Sequence, residues 1–211
     1  NNFLINLNLN YEDKNNRKIF YLIVNYFYQI GDISKAYSLV KSRSLENDEN
    51  ISFYNFIELN YLLSTYQLEN VCIFNDDVDP KLNLRSNIVE KVEIFCLILE
   101  DKLSEAELLN SIMLETENNI DENFQQLFSF LSKNENTEDI KQYKFTQDIK
   151  SDLIFLYSAM TRIAELPFSH DFYELDKKNL SIPIILNQSS PTDLRIKAAN
   201  ESFLENLITV D

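Results

Sequence analysis

The stretch Ile19–Lys41, IFYLIVNYFYQIGDISKAYSLVK, constrains this chain most. It reads as an apolar helix, a Gly31-Asp32 break, and a second amphipathic helix carrying Ala36 and Leu39. The layout returns. Ile33-Ser34-Lys35-Ala36 aligns with Leu103-Ser104-Glu105-Ala106, and then Val24 meets Ile94, Phe27 meets Leu97 and Leu39 meets Leu109. Halfway between, Leu59, Leu62 and Leu68 take the places of Val24, Phe27 and Ile33, with Val71 in the Ala36 place. A unit of roughly 35 residues falls within the range of helix-pair repeats. Each hairpin exposes an apolar face that it buries only against its neighbours, so stability is spread over successive interfaces. Small residues such as Ala36 and Ala106 suit close helix approaches, and Tyr21, Phe27, Tyr54 and Phe56 fill the space between layers.

The expected fold is therefore all-α: stacked helix-turn-helix hairpins forming a right-handed α-solenoid, followed by an irregular C-terminal helical segment. An ordinary helical bundle is the alternative. One glycine and four prolines in 211 residues argue for long helices and few turns. The expected organisation is an extended arm or the end of a preceding repeat over residues 1–14, hairpin repeats over 15–131, a polar joint over 132–145 and a C-terminal helical segment over 146–211. Within these, Asp32 is expected to cap its helix, and Ser104 and Glu107 to form a capping box. Ser190 is expected to cap a final helix pair, Leu194–Ala199 and Phe203–Ile208, and Pro183 marks Leu180–Leu186 as a packed loop or short helix.

The net charge of −15 argues against nucleic acid and against an anionic membrane surface. It can attract a basic protein partner, although solubility alone accounts for the same charge. The apolar core of the first helix, Phe20 to Tyr28, is too short and too interrupted by Asn25 to span a bilayer. Cys72 and Cys96 stand in apolar helical surroundings without a Cys/His cluster, and read as small buried thiols or as a disulfide with each other.

Chemistry is sparse. His170, the single histidine, has Ser169 and Asp171 beside it in sequence, which is not a triad geometry, and reads as a surface or capping residue. One glycine leaves no room for a phosphate-binding glycine loop. The run Asn75-Asp76-Asp77-Val78-Asp79-Pro80 lacks the glycine and the closing glutamate of a calcium loop. No catalytic, cofactor or metal residue is assigned. Tyr28, Tyr37, Tyr61 and Tyr66 are the candidates for an exposed partner contact, with packing between repeats as the alternative for each.

The phrase IGDISKAYSLV resembles a degenerate tetratricopeptide-type unit without its Trp-Leu-Gly-Tyr signature. Glu93, Phe95, Cys96, Leu99, Asp101 and Ala106, with the later Leu194, Arg195, Ala198 and Ala199, resemble phrases of a family of uncharacterised bacterial helical-repeat proteins, from which this chain departs in having far less alanine and glycine. The resemblance implies an α-superhelix without assigned chemistry, placed in the periplasm or cell envelope, with the cytoplasm as the alternative. The superhelical domain of soluble lytic transglycosylases is broadly similar, without a counterpart here to their catalytic domain. The function expected is a non-enzymatic scaffold for protein partners or a structural subunit of a larger assembly. The alternative is a helical accessory domain of a larger envelope enzyme.

Overall fold

Three turns of this protein repeat one geometry. The structure, a computed structural model, describes residues 14–45, 48–78, 87–116, 120–132, 144–146 and 149–208. Helices α1 (Lys14–Gln29) and α2 (Ile33–Lys41) meet at Gly31, α3 (Ile51–Ser64) and α4 (Leu68–Asp77) at Tyr66, and α5 (Ile88–Leu99) and α6 (Leu103–Thr116) at Asp101. Gly31, Tyr66 and Asp101 are equally spaced in sequence and have φ of 72°, 59° and 60°. At each, two backbone bonds close the preceding helix. Gly31 N–H donates to Tyr28 O and Asp32 N–H to Phe27 O; Tyr66 and Gln67 donate to Leu63 and Leu62, and Asp101 and Lys102 to Ile98 and Leu97. This is the left-handed helix stop that glycine favours. Only the first turn uses glycine, and the other two hold a side chain in a conformation less favourable by roughly 1 kcal/mol.

Equivalent positions after these turns are equivalently buried. Ala36, Val71 and Ala106 are wholly inaccessible, as are Val24 and Leu59, with Ile94 nearly so. Each helix from α1 to α6 packs on the next in the chain. Aromatic rings fill the join between α1 and α3, where Phe20 meets Tyr54, Tyr21 meets Phe53, and Tyr28 meets both Phe53 and Phe56, all edge-on.

The same left-handed close recurs at Glu165 and Asn206, outside that equal spacing, and the remaining helices pack less regularly. Helix α7 (Glu122–Ser132) packs on α5, and a 3-10 turn at Ser151–Leu153 leads into α8 (Ile154–Ile163), which packs on α3, α7 and a later helix. Residues 154 to 161 of α8 are buried without exception. Helix α3 is enclosed by α2, α4 and α8 and buries eight residues around its circumference. Then follow α9 (His170–Leu175), α10 (Lys177–Leu186) and α11 (Thr192–Leu204), the last two forming a hairpin. The fold is all-helical, with 11 α-helices and no strand among the described residues.

Several local expectations change. Asp32 does cap α2, its carboxylate accepting from Lys35 N–H. Helix α6 starts at Leu103, so Ser104 lies inside the first turn and the Lys102 carbonyl takes the Glu105 and Ala106 N–H groups. The box expected from Ser104 and Glu107 does not start this helix. Ser190 accepts from Phe168 N–H, tying two segments together in place of capping its own helix. The expected final pair is one continuous helix, α11, and Pro183 sits inside α10. Cys72 and Cys96 are a disulfide, with sulfurs 2.01 Å apart, joining α4 to α5. The expected arm over 1–14 and joint over 132–145 lie outside the described residues, apart from Lys14, Ser132, Lys144 and Phe145.

Candidate interaction surfaces

The four tyrosines singled out from sequence are all half-buried and packed against the core. Tyr37 of α2 and Tyr61 of α3 come together, rings stacked at 3.8 Å and 6°. Burial, with Glu58 close by, pushes the Tyr37 hydroxyl above its ordinary pKa. Tyr28 stands edge-on to Phe53 and Phe56. Tyr66, in its left-handed turn, lies under the Arg162 guanidinium of α8 at 3.5 Å from the ring centre. Burial raises the Tyr66 pKa and lowers that of Arg162. A cation on an aromatic face in such a partly desolvated place contributes on the order of 1 kcal/mol. These rings hold α1, α2, α3 and α8 together, and only Tyr37 and Tyr61 meet each other.

A buried polar node was not anticipated. Lys91 of α5 is 0% exposed, and its ammonium lies 3.9 Å from the Asp121 carboxylate and 5.6 Å from the centre of the Phe124 ring. Asp121 caps α7 by accepting from Phe124 N–H. The Tyr157 hydroxyl of α8 sits 2.8 Å from both Asp121 oxygens, and Lys150 approaches at 3.5 Å. One carboxylate thus joins α5, α7, α8 and the segment leading into α8. Next to it, Asn123 Oδ1 accepts from Thr146 N–H and Thr146 Oγ1. Desolvating such charges is expensive, and the several hydrogen bonds to Asp121 are what make the arrangement tolerable. The sequence does carry a signal for this node: Lys91 stands in core register with Ile88, Val92 and Phe95.

A surface cleft of about 730 Å³ lies where the α1–α2 turn meets the C-terminal helices; Tyr28, Ile30, Gly31, Phe155, Asp176 and Asn179 are among its walls. Asn179 Nδ2 donates to Gly31 O and to Asp176, which also caps α10. Burial holds the Asp176 carboxyl above the ordinary carboxylate range. Burial acts the same way on Asp32, but hydrogen bonds from Lys35 and the nearby Lys178 outweigh it and lower that pKa. His170 is on the surface with Nε2 3.1 Å from Asp193, while Ser169 caps α9 by accepting from Phe172 N–H. Among the described residues no three His, Cys, Asp or Glu side chains are grouped to hold a metal ion.

The surface also carries apolar residues in helical register. On α1, Ile19, Leu22 and Tyr26 are exposed along one face, Tyr26 at 59%, and Ile30 just past its end continues the stripe. On α6, Leu108 at 61% and Ile112 at 49% are exposed one turn apart. On α10 and α11, Ile182, Leu186, Ile196, Phe203 and Leu204 are exposed. These positions lie on faces turned away from core residues such as Phe20, Val24, Ala106 and Met113, and apolar residues on both faces of a helix do not by themselves tell which face is covered. No helix among the described residues is long and apolar enough to cross a membrane. Compared with protein-family models, with characterised proteins and with solved structures, the chain gives no match.

Proposed function

We propose that this protein is a non-enzymatic α-solenoid, built from degenerate tetratricopeptide-like hairpins with a right-handed turn, that holds protein partners in an assembly. The observation that carries the reading is the set of apolar stripes facing outward from α1, α6 and α10–α11. Apolar residues grouped on an outer helix face mark contact surfaces, whereas singly scattered ones do not. The equal spacing of the left-handed turns at Gly31, Tyr66 and Asp101 supports the hairpin stack. In this reading the partner meets the outer stripes. The four tyrosines contribute by fixing the helices that bear them, since Tyr37, Tyr61 and Tyr66 already have ring or cation partners.

The Cys72–Cys96 bond favours an oxidising compartment, and so the periplasm or cell envelope implied by the family resemblance. The same observation supports the second reading, an accessory domain of an envelope enzyme. Cross-linking in the native cells followed by mass spectrometry separates the two. A stoichiometric protein partner attached through α1, α6 or α10–α11 is the expected result. Cross-links confined to a catalytic domain of the same polypeptide would favour the second reading and overturn the first.

A further inference from the structure

We infer that copies of this chain associate head to tail, the outer face of α1 on one copy seating against the outer face of α6 on the next. The inference rests on the scaffold reading and names one partner for it. Charge selects the pairing. Helix α1 carries Lys14, Arg17 and Lys18 and no carboxylate, although the whole chain has 34 acidic residues against 19 basic ones. Lys14 and Lys18 are exposed and border the apolar stripe at its N-terminal end. Helix α6 is the converse, with Glu105, Glu107 and Glu115 exposed and no lysine or arginine.

The apolar positions match as well as the charges. On α6, Leu108 and Ile112 lie between Glu105 and Glu115 on one exposed stripe. On α1, Leu22 and Tyr26 follow Lys18 at the spacing of successive turns. With the helices parallel and Lys18 opposite Glu105, Leu22 and Tyr26 come within one residue, about 1.5 Å along the axis, of the levels of Leu108 and Ile112. Both stripes then run about 15 Å, at 1.5 Å per residue. Like-charged pairings, α1 on α1 or α6 on α6, bring cations against cations or carboxylates against carboxylates, which opposes association. Made head to tail, the contact is heterologous and extends into a ring or an open filament. A mass that stops at the dimer, with α1 and α6 paired twice about a two-fold axis, overturns the head-to-tail arrangement.

The test is sedimentation of the purified full chain over a concentration series at low and high salt. Mass rising beyond the dimer with concentration is expected, weakened by salt as screening shortens the reach of the charges. The variants K14E/K18E and E105K/E107K/E115K alter only exposed side chains. Each is expected to weaken association roughly tenfold or more, and an equimolar mixture of the two to restore it, since each then offers the charge the other lacks. Leu108→Asp weakens it without rescue by either partner variant. Circular dichroism matching the parent excludes a folding defect as the cause. A monomer at every concentration, or association indifferent to both charge reversals, overturns the inference. A monomer that still cross-links a stoichiometric foreign protein in cells overturns head-to-tail pairing alone and leaves the scaffold reading standing. A monomer with no protein partner in cells overturns both.

Discussion

Helices α1 to α6 and the segment from α7 to α11 are held by different means. In the first, each helix leans on the next, the left-handed turns at Gly31, Tyr66 and Asp101 fall at equal spacing, and alike positions such as Ala36, Val71 and Ala106 are alike in burial. In the second, distant residues tie the chain back: Tyr157 to Asp121, Arg162 to Tyr66, Asn179 to the Gly31 carbonyl, and Ser190 to Phe168. The first arrangement distributes its stability over neighbour interfaces. The second adds to its apolar core a few buried or half-buried polar contacts between distant residues, each costly to leave half-made. Helix α8 is where they join, since it fills the side of α3 that α2 and α4 leave open.

Breaking the polar node should therefore separate the two regions. Asp121→Ala removes the carboxylate beside the buried Lys91 ammonium, an acceptor of the Tyr157 hydroxyl and the cap of α7. A loss of about 3–5 kcal/mol in urea unfolding is expected. A loss under 1 kcal/mol would mean that apolar packing of α8 suffices. Within the first region, the disulfide spans a sequence separation of 24. Replacing both cysteines with serine should lower stability by about 3 kcal/mol through the freed unfolded chain, with α4 and α5 loosened first. Thermal unfolding under reducing and oxidising conditions measures this, and equal melting temperatures would contradict it.

Smaller effects sharpen the contrast. Asp176→Asn keeps a capping side chain on α10 while removing a carboxylate whose folded pKa burial has raised. For an acid shifted upward, ionisation is disfavoured by the fold, so wild type loses stability as pH rises through the shifted value. The variant should thus gain over wild type at neutral pH and lose that advantage below the ordinary carboxylate range. Chemical unfolding at pH 3 and pH 7 compares them. Asp101→Gly relieves the exposed left-handed residue that Gly31 avoids in the first turn, and is expected to add about 0.5–1 kcal/mol. No change in the unfolding midpoint would mean that the Asp101 side chain offsets its backbone strain.

Legibility in the sequence follows the same division. Val24, Leu59 and Ile94 align in the sequence and are alike in burial, because helical periodicity records which face of a helix turns inward. The node around Asp121 joins residues far apart in the chain, so no local pattern announces it; Lys91 on a core face was its single trace. Ser104 misled because α6 begins one residue earlier, at Leu103, and Ser190 because its hydroxyl accepts from Phe168 N–H instead of capping its own helix. The tyrosines were legible as important aromatics. Their partners, an α3 ring for Tyr37 and an α8 guanidinium for Tyr66, were not.

Native-state hydrogen exchange of wild type beside Asp121→Ala tests most directly whether two kinds of cohesion coexist in this fold. If they do, amides of α7 and α8 exchange roughly a hundredfold faster in the variant, while those of α1 and α2 change by less than about tenfold. Equal acceleration across all helices would contradict it, because the protein would then open only as a single cooperative unit.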